Sequence, residues 1–233
     1  MARSRIAPGV ASTLTELRGL ADPTRLEGMA RFGIDTDRAL GVPVPAIRAL
    51  ARAVGRDHDL ALALWSSEIH EARILASMVD EPARVTQRQM DAWARDFASW
   101  DVCDQVCSNL FVRTPHAVRK ATAWSVSRQE FVKRAAFSLM AALAVHDVEA
   151  GDDEFEAMLP LIRRAATDER NFVKKAVNWS LRQIGKRNAR LNARAIATAQ
   201  EIRGLDSRSA RWIAADALRE LESDPVRSRL ARP

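Results

Sequence analysis

Trp100 and Asp104 stand four residues apart in the segment Ser99-Trp-Asp-Val-Cys-Asp-Gln-Val106, which on a helix puts them on one face. An indole beside a carboxylate offers a flat apolar surface next to a negative charge. That pairing suits a flat cationic ligand, held by cation–π contact and direct attraction. The same carboxylate also fits a structural salt bridge to an arginine of a neighbouring helix, and spacing alone does not choose. Asp101 points about 100° away from Asp104 around the helix, so the two carboxylates do not read as a working pair. Ser99 is placed to cap this helix, with Asp101 in its first turn. Trp179 is a second candidate aromatic, one turn beyond Lys174-Lys175, whereas Trp65, Trp93, Trp124 and Trp212 sit in apolar helical patterns and read as core.

Helices must position these groups. Alanine, leucine and arginine dominate, and apolar residues recur at three- and four-residue spacing. Phe131, Ala135, Ser138, Met140 and Ala141 follow that spacing, as do Phe172, Ala176, Val177, Leu181 and Ile184. Breaks fall at Gly41-Val-Pro-Val-Pro45, Pro82, Pro115, Gly151, Gly185 and Gly204. The pattern predicts about ten to twelve helices of roughly 10–18 residues and no strands.

The helices are also related to one another. Glu130-Phe-Val-Lys-Arg-Ala and Asn171-Phe-Val-Lys-Lys-Ala start 41 residues apart, and Ser209-Ala-Arg-Trp-Ile-Ala is a weaker third copy. A period near 40 with paired helices is what HEAT-type repeats show. The predicted fold is therefore all-α, a curved α-solenoid of HEAT-like helical repeats, occupying 1–233 as one domain. Residues 1–40 are expected to supply N-terminal helices, and 224–233 to be a frayed basic tail. Basic pairs recur in register at Arg119/Lys120, Lys133/Arg134 and Lys174/Lys175. Stacked repeats would align them into a stripe suited to a phosphate backbone.

Charge supports that reading. The 233 residues carry 36 Lys+Arg and 30 Asp+Glu, a formal net of +6. Residues 1–110 hold 13 cations and 15 anions, a net of −2, and residues 111–233 hold 23 and 15, a net of +8. All five lysines lie in the second segment. A regional excess of this kind is the footprint of a polyanion binder. At 47% hydrophobic and 28% charged the chain is not disordered. Cys103 and Cys107 read as buried thiols rather than a metal site, and no histidine shows ligand spacing. No metal, no cofactor and no membrane span are expected; a cytoplasmic protein is the default.

Trp100-Asp-Val-Cys-Asp104, Phe131-Val-Lys-Arg134 and Lys174-Lys-Ala-Val-Asn-Trp-Ser-Leu-Arg182, taken in order, resemble the bacterial DNA alkylation repair family, the AlkD-like DNA glycosylases. The likeness runs from about Gly41 to Leu221. It implies hydrolysis of the N-glycosidic bond of positively charged alkylpurines, such as 3-methyladenine and 7-methylguanine, in duplex DNA, by a monomer without cofactor. By motif, Asp104 matches the catalytic aspartate. Trp100 and Trp179 match the aromatics that flank the lesion, and Arg134 the arginine that holds the backbone near it. Lys133, Lys174, Lys175 and Arg182 would be neighbouring phosphate ligands, with Arg119 and Lys120 extending the stripe. The chain departs from the family at Phe131, where tryptophan is common, at Lys133-Arg134 in place of paired arginines, and in having no tyrosine. The alternatives are a non-catalytic HEAT-type binder of damaged or branched DNA and a protein-binding scaffold.

Overall fold

The computed structural model describes residues 9–231. Fourteen α-helices run through them: α1 (Val10–Gly19), α2 (Leu26–Arg31), α3 (Val44–Val54), α4 (His58–Ser66), α5 (His70–Val79), α6 (Gln87–Arg95), α7 (Trp100–Asn109), α8 (Ala117–Trp124), α9 (Glu130–His146), α10 (Asp152–Ala165), α11 (Asn171–Gly185), α12 (Ala189–Arg203), α13 (Arg208–Leu221) and α14 (Asp224–Leu230). Single 3₁₀ turns lie at Pro23–Arg25 and Phe111–Arg113. No strand occurs among the described residues. The count exceeds the sequence expectation partly because α2 and α14, of 6 and 7 residues, are too short to show a period. In α14 the segment expected to fray is helical, with Val226 buried and Asp224 in the first turn. Its last residues, 232 and 233, and the N-terminal residues 1–8 lie outside the described region.

Contacts divide the chain into two compact units. The first comprises Met1–Met90 and Phe97–Thr114, and the second Asp91–Asp96 and Pro115–Pro233.

In the first unit α5 packs against α3, α4 and α7. Asp57 starts α4 by accepting a hydrogen bond from the Leu60 backbone N–H at 2.9 Å. Ile47, Leu64, Ile74, Leu75, Phe111 and Leu17 are essentially sealed from water, each worth roughly 1.5–3 kcal/mol of transfer free energy. The connection into α3 is held by a buried carboxylate. Glu71, 1% exposed, accepts from the backbone N–H groups of Leu40, Gly41 and Val42 at 2.8, 2.8 and 3.2 Å. Gly41 lies at φ +76°, and a Cβ there would run into the Asp22 carbonyl. Only glycine fits both the backbone conformation and the close approach.

In the second unit helix pairs repeat: α8 with α9, α10 with α11, and α12 with α13. The second helices of the pairs stack in order, α9 along α11 and α11 along α13. α9 carries the core, with Ala135, Ala136, Phe137, Leu139, Met140 and Ala141 all buried. Asn188 and Ser207 cap α12 and α13 by accepting from Leu191 N–H and Ala210 N–H. α10 opens on Asp152, Asp153 and Glu154 and closes on Arg163 and Arg164, matching its dipole at both ends. Gly185 ends α11 against α12 and α13, and a Cβ there would meet Leu221 Cδ2 at 2.7 Å and Ala195 Cβ at 2.8 Å.

Candidate active site

α7 carries the first candidate residues in the first unit. Val102, Cys103, Val106 and Cys107 are buried and fix its inward face. Both cysteines are buried, as the sequence suggested. Trp100, Asp101 and Asp104 lie on the rest of the helix, each partly exposed. Ser99 occupies the N-cap in extended conformation, but its hydroxyl makes no capping bond. It donates instead to Asp101. Asp101 also faces His70, whose Nε2 lies 2.8 Å from Asp101 Oδ2.

The two groups shift each other. Burial opposes charge on His70, but the hydrogen bond and charge of Asp101 and the charge of Glu71 outweigh it, so the imidazole pKa is raised. Burial likewise opposes charge on Asp101, and the bonds from His70 and Ser99 overcome it, holding the carboxyl below its usual range. Asp101 is thus engaged within the unit by His70 and Ser99. Trp100 is oriented by its Nε1–H, which donates to the Phe32 carbonyl at 3.0 Å. The Phe32 ring is itself 72% exposed.

The second unit holds the remaining candidates on α8, α9 and α11. Sequence treated them as a stripe of phosphate ligands; the structure engages several of them within the unit and leaves others exposed. Lys120 is buried, with Nζ 2.7 Å from Asp91 Oδ2, and Trp124 Nε1–H donates to the other oxygen of the same carboxylate. Arg119 is exposed. Lys133 Nζ lies 2.9 Å from Asp168, which also takes two bonds from the Arg170 side chain. Burial opposes charge on Asp168, yet the Arg170 and Lys133 bonds drive its carboxyl well below the usual range. Arg134 is 6% exposed and donates through Nη1 to the Phe172 carbonyl at 2.6 Å. Beside it the rings of Phe131 and Phe172 meet at 5.4 Å between centroids.

On α11, Lys174 Nζ lies 5.0 Å above the Trp212 ring, and Lys175 is exposed. Trp179 is partly buried on the same helix. Arg182 pairs with Glu220 at 2.5 Å and Asp216 at 3.4 Å, and Lys186 joins the Glu220 carboxylate at 2.6 Å. Trp65, Trp93 and Trp124 are core, as expected, but Trp212 is 41% exposed and forms the platform under Lys174.

Sequence reasoning passed over His70, Glu71, Phe32 and Asp168. His70 showed no partner spacing, because Asp101 lies 31 residues away. Among the described residues no group of three or more His, Cys, Asp or Glu is placed to hold a metal, and no helix is long and apolar enough to cross a membrane.

A family model described as DNA alkylation repair enzyme matches residues 13–221. The chain belongs to that family. Every candidate residue from Trp100 to Arg182 lies within the matched stretch. A solved structure described as "a new family of proteins related to the HEAT-like repeat DNA glycosylases with affinity for branched DNA structures" aligns with TM-score 0.78, at 18% identity, over 96% of each chain. That likeness establishes the HEAT-like helical fold for this member of the DNA alkylation repair family. No curated protein matches the chain.

Proposed function

We propose that this member of the DNA alkylation repair family is a monofunctional alkylpurine DNA glycosylase, acting as a cytoplasmic monomer on duplex DNA with 3-methyladenine- or 7-methylguanine-type lesions. The observation that carries the reading is the placement of Asp104 and Trp100 four residues apart on the partly exposed face of α7. Asp101 is tied to His70 and Ser99, while Asp104 shares the face of an indole anchored by its own N–H. An alkylated purine already bears positive charge, so its C1′–N bond breaks without a strong general acid. The bonding electrons pass to the base nitrogen and neutralise it, and positive charge develops on the deoxyribose. Asp104 stabilises that charge and orients the water whose oxygen bonds to C1′; the water proton leaves to the carboxylate or to solvent. The products are a neutral free base and an abasic site. The face of Trp100 favours an electron-poor base over a neutral one. Trp179 and Arg134 are the proposed lesion-side residues of α11 and α9. Of the cations expected at the backbone, Arg119, Lys174 and Lys175 are the proposed contacts, whereas Lys120, Lys133 and Arg182 are held in ion pairs within the unit and would position the helices that carry them. The chemistry calls for no metal or cofactor.

The test is base release from duplex DNA containing 7-methylguanine. Wild type is expected to release the base, and Asp104→Asn to slow release by roughly 10²–10³-fold, the range for loss of one preorganised electrostatic group. No release by wild type above background refutes the activity. Equal release by the variant refutes the role of Asp104 alone. The second reading, a non-catalytic binder of damaged or branched DNA, is supported by the description of the structural neighbour. It predicts salt-sensitive binding with no turnover.

A further inference from the structure

The first unit contains an open cleft of about 330 Å³ that the proposed chemistry does not use. Four arginines line it, Arg48, Arg52, Arg56 and Arg113, together with Met78 and Asn109, and no carboxylate does. Arg48 and Arg52 lie four apart on α3. Arg56 follows the turn at Gly55, where φ is +86°. Arg113 ends the 3₁₀ turn after α7. All four are exposed. Arg56 donates to the Asp80 carbonyl. Among the described residues, the side chains of Arg48, Arg52 and Arg113 have no hydrogen-bond or ion-pair partner. Had these arginines been recruited to cap helix carbonyls, each would make a bond like that of Arg56; three do not.

Neighbouring guanidinium groups repel one another unless an anion lies between them. The planar fork of arginine matches phosphate oxygens in bidentate fashion. Arg48 and Arg52 are offset by about 6 Å along the helix axis, so they form a row rather than a single focus. A row of cations fits a repeating polyanion better than one small ion. We propose that this cleft binds backbone phosphates of DNA, as a site in the first unit whose lining includes neither Trp100 nor Asp104. The proposal rests on the DNA reading above.

The test is fluorescence anisotropy of a labelled, undamaged duplex titrated with the full chain at several salt concentrations. The variants are Arg48→Gln/Arg52→Gln/Arg113→Gln and its counterpart with lysine at all three positions, with circular dichroism as the check on folding. The glutamine variant is expected to lower the slope of log K against log salt by about 0.9 for each phosphate it no longer neutralises. The lysine variant is expected to restore the slope while recovering only part of the affinity. An unchanged slope in the glutamine variant overturns the proposal. If that variant has also given up stabilisation by inorganic phosphate, the cleft is a small-anion site instead. Weakening by Lys175→Glu with no effect of the glutamine variant keeps the DNA reading and rejects this one. No binding by wild type rejects both.

Discussion

The two units use charge differently. Sequence arithmetic made residues 111–233 the polyanion binder, with a net of +8, and 1–110 nearly neutral at −2, although Arg113 falls in the first unit and Asp91, Arg95 and Asp96 in the second. Yet several of the second unit's cations are engaged by carboxylates: Lys120 by Asp91, Lys133 by Asp168, Arg182 and Lys186 by Glu220, and Arg190 by Asp153 and Glu156. In the first unit, three arginines without partners share one cleft. Carboxylates differ as well. Those of the second unit bridge cations near the surface, whereas Glu71 clamps three backbone N–H groups in the interior. Net charge by segment is therefore a poor map of available charge.

The strongest test of that contrast is Glu71→Ala, which strips three backbone donors of their acceptor in a buried place. We expect a loss of about 3 kcal/mol or more, read as ΔΔG from denaturant melts and nearly independent of added salt. A loss below that of an ordinary surface substitution would show that the clamp does not hold the entry to α3. Asp168→Asn should cost less, about 2 kcal/mol, because its partners retain some water. Its cost should shrink as salt is added; a salt-independent loss would erase the distinction between the units. The Asp168 carboxyl is held below its unfolded value, so its contribution is complete above about pH 4 and is lost as pH falls. Wild type should therefore lose its advantage over the variant in acid.

Gly185→Ala probes packing rather than charge in the second unit. Leu221 can turn aside but Ala195 Cβ cannot, and overpacking of this kind costs roughly 1–3 kcal/mol. A neutral or stabilising result in thermal melts would show that α11, α12 and α13 can slide apart. The smallest effect is expected from His70→Gln. The raised imidazole pKa means that the pair with Asp101 stabilises fully below about pH 6.5 and fades as pH rises through the folded value. The variant should differ from wild type by about 1 kcal/mol or less, most in mild acid and least in alkali. A gap that widens with pH would reverse the assignment.

Much of this was legible from the chain. Apolar spacing located the helices, and the Phe-Val-Lys-basic-Ala copies located the repeat. The stack of α9, α11 and α13 confirms it. The separation of Asp101 from Asp104 followed from helix geometry. What the repeat does to charge was not legible. Partners in the second unit lie one repeat apart: 35 residues for Lys133 and Asp168, and 38 each for Arg182 and Glu220, Asn178 and Asp216, and Arg134 and the Phe172 carbonyl. The period that aligns basic residues also brings the next repeat's acceptors against them. Composition counts both kinds of residue but does not pair them. Glu71 was invisible for a related reason, since its partners are main-chain N–H groups and carry no side-chain signature.

The bond from Trp100 to the Phe32 carbonyl has an outcome for heredity. Its acceptor is an atom that every residue type possesses, so no point substitution at position 32 deletes it. Alanine scanning would leave the anchor in place, and only an insertion, a deletion or a change in chain path would release the indole. The side chain at position 32 can therefore change without loss of the bond that orients Trp100.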